Sequence, residues 1–150
     1  ISVTYNGFSP AAQAAFQYAV DIWASTLTSN VPILIEANWE DIPGNTLGFA
    51  SGAYFFPDPP NAPVPDYFYI AALANKLADE DLVTNEIDIN TTCDSGTDWY
   101  LGTDGNTPSG QYDFVTVVLH ELCHGLGMSG TATVDGNTGA YGNCIRFHRA

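Results

Sequence analysis

The stretch Val117-Val118-Leu119-His120-Glu121-Leu122-Cys123-His124-Gly125-Leu126-Gly127-Met128 decides how the rest of the chain is read. Phe114, Val115, Val117, Val118, Leu119, Leu122 and Leu126 supply the apolar stripe of a buried helix, and Asp113 stands where an N-cap is needed. Residues four apart share one face of a helix, so His120 and His124 can aim their imidazoles at one ion. Glu121 can then reach a water held beside them. Neutral imidazole nitrogens about 2.0–2.1 Å from the ion are what Zn²⁺ requires, and catalytic sites commonly use three protein ligands and leave one position open. The plainer reading is a core helix carrying two satisfied histidines. It has to explain why two of the three histidines of the chain fall within five residues.

His-Glu-x-x-His on a helix is the zinc-peptidase pattern, with the glutamate as general base. Continued past His124 as HELCHGLGMSG, the segment resembles the metzincin signature HExxHxxGxxH as far as Gly127. Gly130 then occupies the place of the third metzincin histidine, and Met128 lies too close to serve as a Met-turn. A closer resemblance, covering most of the chain and firmest from Trp99 to Met128, is to secreted bacterial metalloproteases. Their helix reads HELGHGLGF after WYxGTDG and YDFVTVVLHE; here WYLGTDG spans Trp99 to Gly105 and YDFVTVVLHE spans Tyr112 to Glu121. The resemblance implies an α+β, zincin-like catalytic domain: a mixed twisted sheet, a backing helix and an active-site helix. It also implies a secreted zinc endopeptidase acting on protein or peptide substrates through a metal-activated water, with Glu121 as the base. The competing function is a catalytically weak zinc-binding recognition or adhesion module on the same scaffold. Glu121 argues against it, since mere binding does not require a carboxylate beside the metal.

The third ligand is left open. No glutamate follows Glu121, so a gluzincin-type ligand is absent from the sequence downstream. Asp135, Tyr141, Cys144 and His148 remain. Ligand preference puts His148 first and Asp135 second. Read blandly, His148 is a tail histidine beside Arg146 and Arg149. The segment from Gly130 to Gly142 loosely resembles the GTxDxxYG of aspzincins, but with longer spacings. Tyr141 is a candidate donor to the tetrahedral oxyanion, or simply a packing tyrosine.

Composition bounds the partners. The 150 residues, 45% hydrophobic, suit one compact domain without a membrane span. Within it, 1–128 would form an upper part and 129–150 a short lower part or tail. Seventeen acidic against three basic residues give a net charge of -14. Lys76, Arg146 and Arg149 cannot form much of a basic patch, which argues against nucleic acid and anionic membranes. A monomer is expected. Asp79, Glu80, Asp81, Asp94, Asp98 and Asp104 could hold Ca²⁺, although none has EF-hand spacing and a plain solvated acidic face is the favoured reading. The start at Ile1, without methionine or signal peptide, suggests a mature or excised form.

Three cysteines permit one disulfide. Cys123 is expected in the core, leaving Cys93 and Cys144 as the natural pair. Their bridge would close about 50 residues, contribute about 3–4 kcal/mol and tether the tail bearing His148. It would also place the chain in an oxidising, extracellular compartment. Asn90-Thr91-Thr92 is a glycosylation sequon of a kind common by chance.

The remaining elements follow from local signals. Ile1 to Tyr5 alternates as a strand. Ser9 and Pro10 open a helix to about Leu27, with Phe16, Val20, Trp23 and Leu27 on its apolar face. Val31 to Trp39 reads as a strand and Thr46 to Phe56 as another, its signal weakened by glycines; Pro57 to Asp66 reads as a proline-rich loop, and Tyr67 to Leu77 is ambiguous, with helix favoured through IAALANKLA. Glu86 to Asn90 reads as an edge strand that could pair with an extended substrate. A Gly/Asp/Asn-rich loop then leads to Gly110.

Overall fold

A computed structural model describes residues 1–128 and, as backbone, the strands at 132–135 and 138–141. The elements are β1 (Ser2–Asn6), α1 (Pro10–Thr26), β2 (Leu34–Glu40), β3 (Gly48–Gly52), β4 (Phe55–Pro57), β5 (Phe68–Ile70), α2 (Ala71–Ala78), β6 (Ile89–Asp94), β7 (Trp99–Tyr100), β8 (Tyr112–Asp113), α3 (Phe114–Gly125), β9 (Ala132–Asp135) and β10 (Thr138–Tyr141). The class is α+β with a mixed sheet. Four strands run in the order β1-β2-β6-β3. β1, β2 and β6 are mutually parallel, while β3 lies antiparallel to β6 on the outside. β4–β5, β7–β8 and β9–β10 form two-stranded sheets.

α1 starts where its sequence says it should. Ser9 Oγ accepts from the Ala12 amide at 3.2 Å, and Pro10 occupies the first turn, where its missing N–H costs nothing. Ala12, Ala15, Phe16, Ala19 and Val20 form the buried face. The core face of the sheet contributes Ile35 and Ala37 from β2 and Ile89, Thr91 and Cys93 from β6, and α3 adds Phe114, Val118 and Leu122. Strand alternation accounts for the choice, because every second residue points to one side. Leu27, assigned to the apolar face of α1, is instead a 38% exposed cap residue.

An aromatic cluster fixes where α3 begins. The Phe114 ring lies 5.0 Å from Trp99, 5.4 Å from Trp39 and 6.5 Å from Phe16, centroid to centroid. Trp99 is held by its indole N–H, which donates to the Asp94 carbonyl at 2.6 Å. The WYLGTDG segment thus serves packing at this point.

Several strand expectations need correction. Thr46 to Phe56 is two strands, β3 and β4, because Ala53 leaves the sheet after donating to Asp88 O at 2.8 Å. Tyr67 to Leu77 divides into β5 and α2. Glu86 to Asn90 is not an edge strand. The strand there is β6, from Ile89 to Asp94, and it lies between β2 and β3. The shift follows from Asp88, which turns inward at 5% exposure. Its carboxylate accepts from the Leu34 amide and from Asn75 Nδ2, both at 2.8 Å, joining β2 and α2 to the start of β6. Burial raises its pKa. Asn90 of the sequon lies in this interior strand and donates from Nδ2 to Glu36 Oε1 at 3.1 Å.

Cys123 is half-buried rather than in the core. Cys93 is fully buried and, among the described residues, bridged to no other cysteine; burial and, secondarily, the charge of Glu121 push its thiol up to about 12. Cys144, its expected partner, lies outside the described residues. Among the described residues no helix is long and apolar enough to cross a membrane.

Candidate metal and catalytic site

α3 carries the motif, and its orientation is set from both ends. At the start, the Asp113 carboxylate accepts from the Thr116 amide and from the Thr107 hydroxyl, both at 2.7 Å. Burial opposes ionisation of Asp113, yet these hydrogen bonds hold its pKa below the ordinary value. Midway, the Trp23 indole of α1 donates to Leu119 O at 3.3 Å, fixing the rotation of the turn just before His120. Near the end, Gly125 lets the helix approach β6 closely. A methyl group there would lie 2.5 Å from Ile89 Cγ2.

The helix closes in a Schellman turn. The Gly127 amide donates to His124 O at 3.0 Å and the Met128 amide to Cys123 O at 3.1 Å, with Gly127 at φ 112°. A side chain at that φ is strained, so the glycine is a backbone requirement. The turn brings Met128 back over the last helical turn. Its carbonyl lies 2.7 Å from His124 Nδ1, and its Sδ lies 3.1 Å from Cys123 Sγ. A carbonyl can only accept, so Nδ1 carries the proton and, in the neutral ring, Nε2 keeps a free lone pair.

That lone pair belongs to a pair of donors. His120 Nε2 and His124 Nε2 are 3.1 Å apart, with the rings at 87° to one another. Two nitrogens bound tetrahedrally at zinc distances are about 3.3 Å apart, so the spacing fits two vertices of one coordination sphere. His120 is exposed and His124 half-buried, which leaves the position between them open to a ligand from solvent. Among the described residues no three His, Cys, Asp or Glu side chains converge on one point. His148 lies outside the described residues. Asp135 and Tyr141 end β9 and β10, and their side chains also lie outside what is described.

Glu121 stands beside the sheet edge. A methyl group at position 48 would lie 3.8 Å from Glu121 Cγ, and only 2.9 Å from Thr92 O, so glycine is needed where β3, β6 and the carboxylate meet. β3 itself is the outermost strand. Asp94 N donates to Leu47 O at 3.0 Å and Ala53 N to Asp88 O at 2.8 Å, which sets the phase of the antiparallel ladder. By alternation, Gly48, Ala50 and Gly52 turn their amide groups toward the free edge. The edge near the motif is therefore β3 rather than Glu86 to Asn90. The glycines that weakened its strand signal are required by contacts: a Cβ at Gly52 would overlap Ile70 Cγ1 at 1.9 Å.

Trp23, Gly48, Gly125 and Met128 thus act on the site without having been singled out for it from sequence. Only Gly125 had a usable signal, as the small residue directly after His124. The acidic residues weighed for calcium have other duties where bonds are seen. Asp94 accepts from Ile42 N at 2.9 Å and from Thr97 Oγ1 at 2.5 Å, and Asp98 from Gln111 at 2.8 Å. A cavity of about 330 Å³ lined by Ile1, Leu27, Asn30, Val31 and Ile33 includes none of the motif residues.

No family model matches the chain, and neither curated proteins nor solved structures give a significant match.

Proposed function

We propose that the chain is a secreted zinc-dependent endopeptidase with a zincin-like catalytic domain. The observation that carries the reading is the Nε2 to Nε2 separation of 3.1 Å between His120 and His124, together with the Nδ1 hydrogen bond that points the His124 lone pair into the same space. His120 and His124 would hold the ion, and a third ligand would come from the tail, with His148 ahead of Asp135. When bound, zinc would supply Lewis acidity, making a water a nucleophile near neutral pH and polarising the carbonyl it attacks.

The chain's own residues divide the remaining work. An extended peptide would add to the β3 edge through the outward amide groups of Gly48, Ala50 and Gly52. That places its backbone next to Glu121. Glu121 would accept the proton of the attacking water as the C–O bond forms, then deliver it to the amide nitrogen as the C–N bond breaks. Tyr141 is the proposed donor to the oxyanion. The acidic surface, net -14, disfavours acidic substrates.

Glu121→Gln tests this reading. Glutamine keeps the shape but cannot take a proton, so peptide cleavage should fall about 100- to 10,000-fold. Zinc content measured by elemental analysis should stay at one ion per chain, and His120→Ala or His124→Ala should abolish it. Full cleavage by Glu121→Gln would refute the mechanism. Stoichiometric zinc without chelator-sensitive cleavage of casein by the parent chain would favour the recognition module.

A further inference from the structure

β3 is an edge without the usual guards. From Thr46 to Phe56 the chain carries no charged residue and no proline, although the whole sequence holds 17 acidic side chains. Edge strands that stay single are blunted by charge, proline or a bulge, so an uncharged edge is open to strand addition. The two faces of this strand differ. Gly48, Ala50 and Gly52 lie on the α3 side, where a Cβ at position 48 would stand 3.8 Å from Glu121 Cγ. Phe49 pairs with Thr92, whose neighbours Thr91 and Cys93 fill the core face, so its ring lies on the face turned away from α3. That row of the sheet runs Asn6, Asn38, Thr92, Phe49, and Phe49 is its one apolar member. The ring is 51% exposed, with Thr92 on one side and the free edge on the other.

We infer that Phe49 is a specificity-determining residue, which selects peptides carrying a bulky aliphatic or aromatic side chain opposite it. The inference rests on the proposed reading of β3 as the strand that takes up substrate. Because Gly48, Ala50 and Gly52 turn their amide groups to the free edge, an antiparallel peptide exchanges hydrogen bonds with those three residues. The peptide residue opposite Phe49 then falls in a non-hydrogen-bonded pair, where Cα atoms are about 4.5 Å apart and side chains are closest. Its side chain points to the same face as the Phe49 ring. An aliphatic or aromatic group there covers the ring and removes both surfaces from water. A carboxylate would instead lie against an apolar surface, in a chain of net charge -14. The position is also fixed relative to the chemistry. Glu121 stands beside Gly48, so the residue opposite Phe49 is the chain neighbour of the one nearest the base. Its side chain points away from α3, whereas those on either side of it point toward α3 across glycine and alanine.

The test uses the full chain and capped peptides identical except at one scanned position, which is Leu, Ala or Glu. At one position close to the cleaved bond, kcat/KM of the parent should be about 2- to 5-fold higher for Leu than for Ala, the size of a cross-strand pair. Phe49→Ala should erase that ratio and leave the ratios at neighbouring positions unchanged. Phe49→Lys should invert the order, favouring Glu over Leu, a gain that misfolding cannot produce. A Leu preference unchanged in Phe49→Ala, or a Phe49→Lys variant that slows all three peptides by one factor, overturns the inference. Binding is read separately from cleavage, with ¹⁵N-labelled Glu121→Gln and the same peptides. The amide signals of Gly48, Ala50 and Gly52 should shift, at about 2- to 5-fold lower concentration for Leu than for Ala. If the parent cleaves none of the peptides, the proposed function fails, and these signals still decide the point: edge amides unmoved by peptide overturn it. Edge amides that shift on dilution of the chain, and not with peptide, would assign the edge to a second copy and likewise overturn it.

Discussion

At its start, α3 is seated on Phe114, fully buried among Trp99, Trp39 and Phe16. At its other end it finishes on His124, Gly127 and Met128, where a single carbonyl and a glycine turn hold the ring that matters. Beside the Asp113 cap, the first end is secured by many dispersive contacts, no one of which sets a direction. The second is secured by few contacts, each of which sets one. Removing a side chain from the first should therefore cost stability and spare local geometry. Disturbing the second should cost modest stability and a disproportionate share of the site.

The largest effect comes from the buried end. Phe114→Ala opens a cavity beneath three aromatic rings, and the loss of global stability should be about 3–5 kcal/mol. Urea unfolding measures it. The part of the population that remains folded should keep the His124 Nδ1–H resonance, because the Schellman turn does not touch position 114. Loss of that resonance in folded Phe114→Ala would show that the two ends are coupled.

Gly127→Ala tests the opposite end. At φ 112° a side chain is strained, and the new Cβ would sit 3.3 Å from both Ile70 Cγ2 and Leu73 Cδ2. The expected destabilisation is about 1–3 kcal/mol, smaller than for Phe114→Ala. Yet the turn that carries Met128 O to His124 should open, so zinc affinity should drop while Phe114→Ala, where folded, retains it. Equal zinc affinity in the two variants would break the comparison.

What could be read from sequence divides along the same line. Ser9 with Pro10, Asp113 and Gly127 announce the ends of α1 and α3 because caps depend on the residue itself and its immediate neighbours. The spacing of His120 and His124 is legible for the same reason: helical geometry turns a four-residue interval into one face. Strand boundaries were less legible. The Thr46 to Phe56 run conceals a break at Ala53, and β6 begins only after Asp88, whose carboxylate is satisfied by Leu34 and Asn75 from distant elements. Nor could sequence reveal that β3 is the free edge, since sheet order depends on pairings across the chain. The Met128 carbonyl escaped notice because a backbone atom has no signature of its own, and His148 depends on a path that local rules do not specify.

The smallest effect separates capping from chemistry at the start of α3. Asp113→Ala removes the acceptor of the Thr116 amide and the Thr107 hydroxyl, costing about 1 kcal/mol. Its pH dependence has a definite sign. The folded-state pKa of Asp113 is lowered, so its contribution is present above the unfolded value, near 3.9, and is lost as pH falls through the lower folded value. The difference in stability between parent and Asp113→Ala, from urea unfolding, should therefore be flat from neutral pH down to about 4 and shrink below it. Because the cap lies at the end of α3 away from His124, the Nδ1–H resonance should be the same in both proteins throughout the flat range. A gap that widened in acid would mean Asp113 is held protonated by its burial, and that the hydrogen bonds from Thr107 and Thr116 do not outweigh that burial.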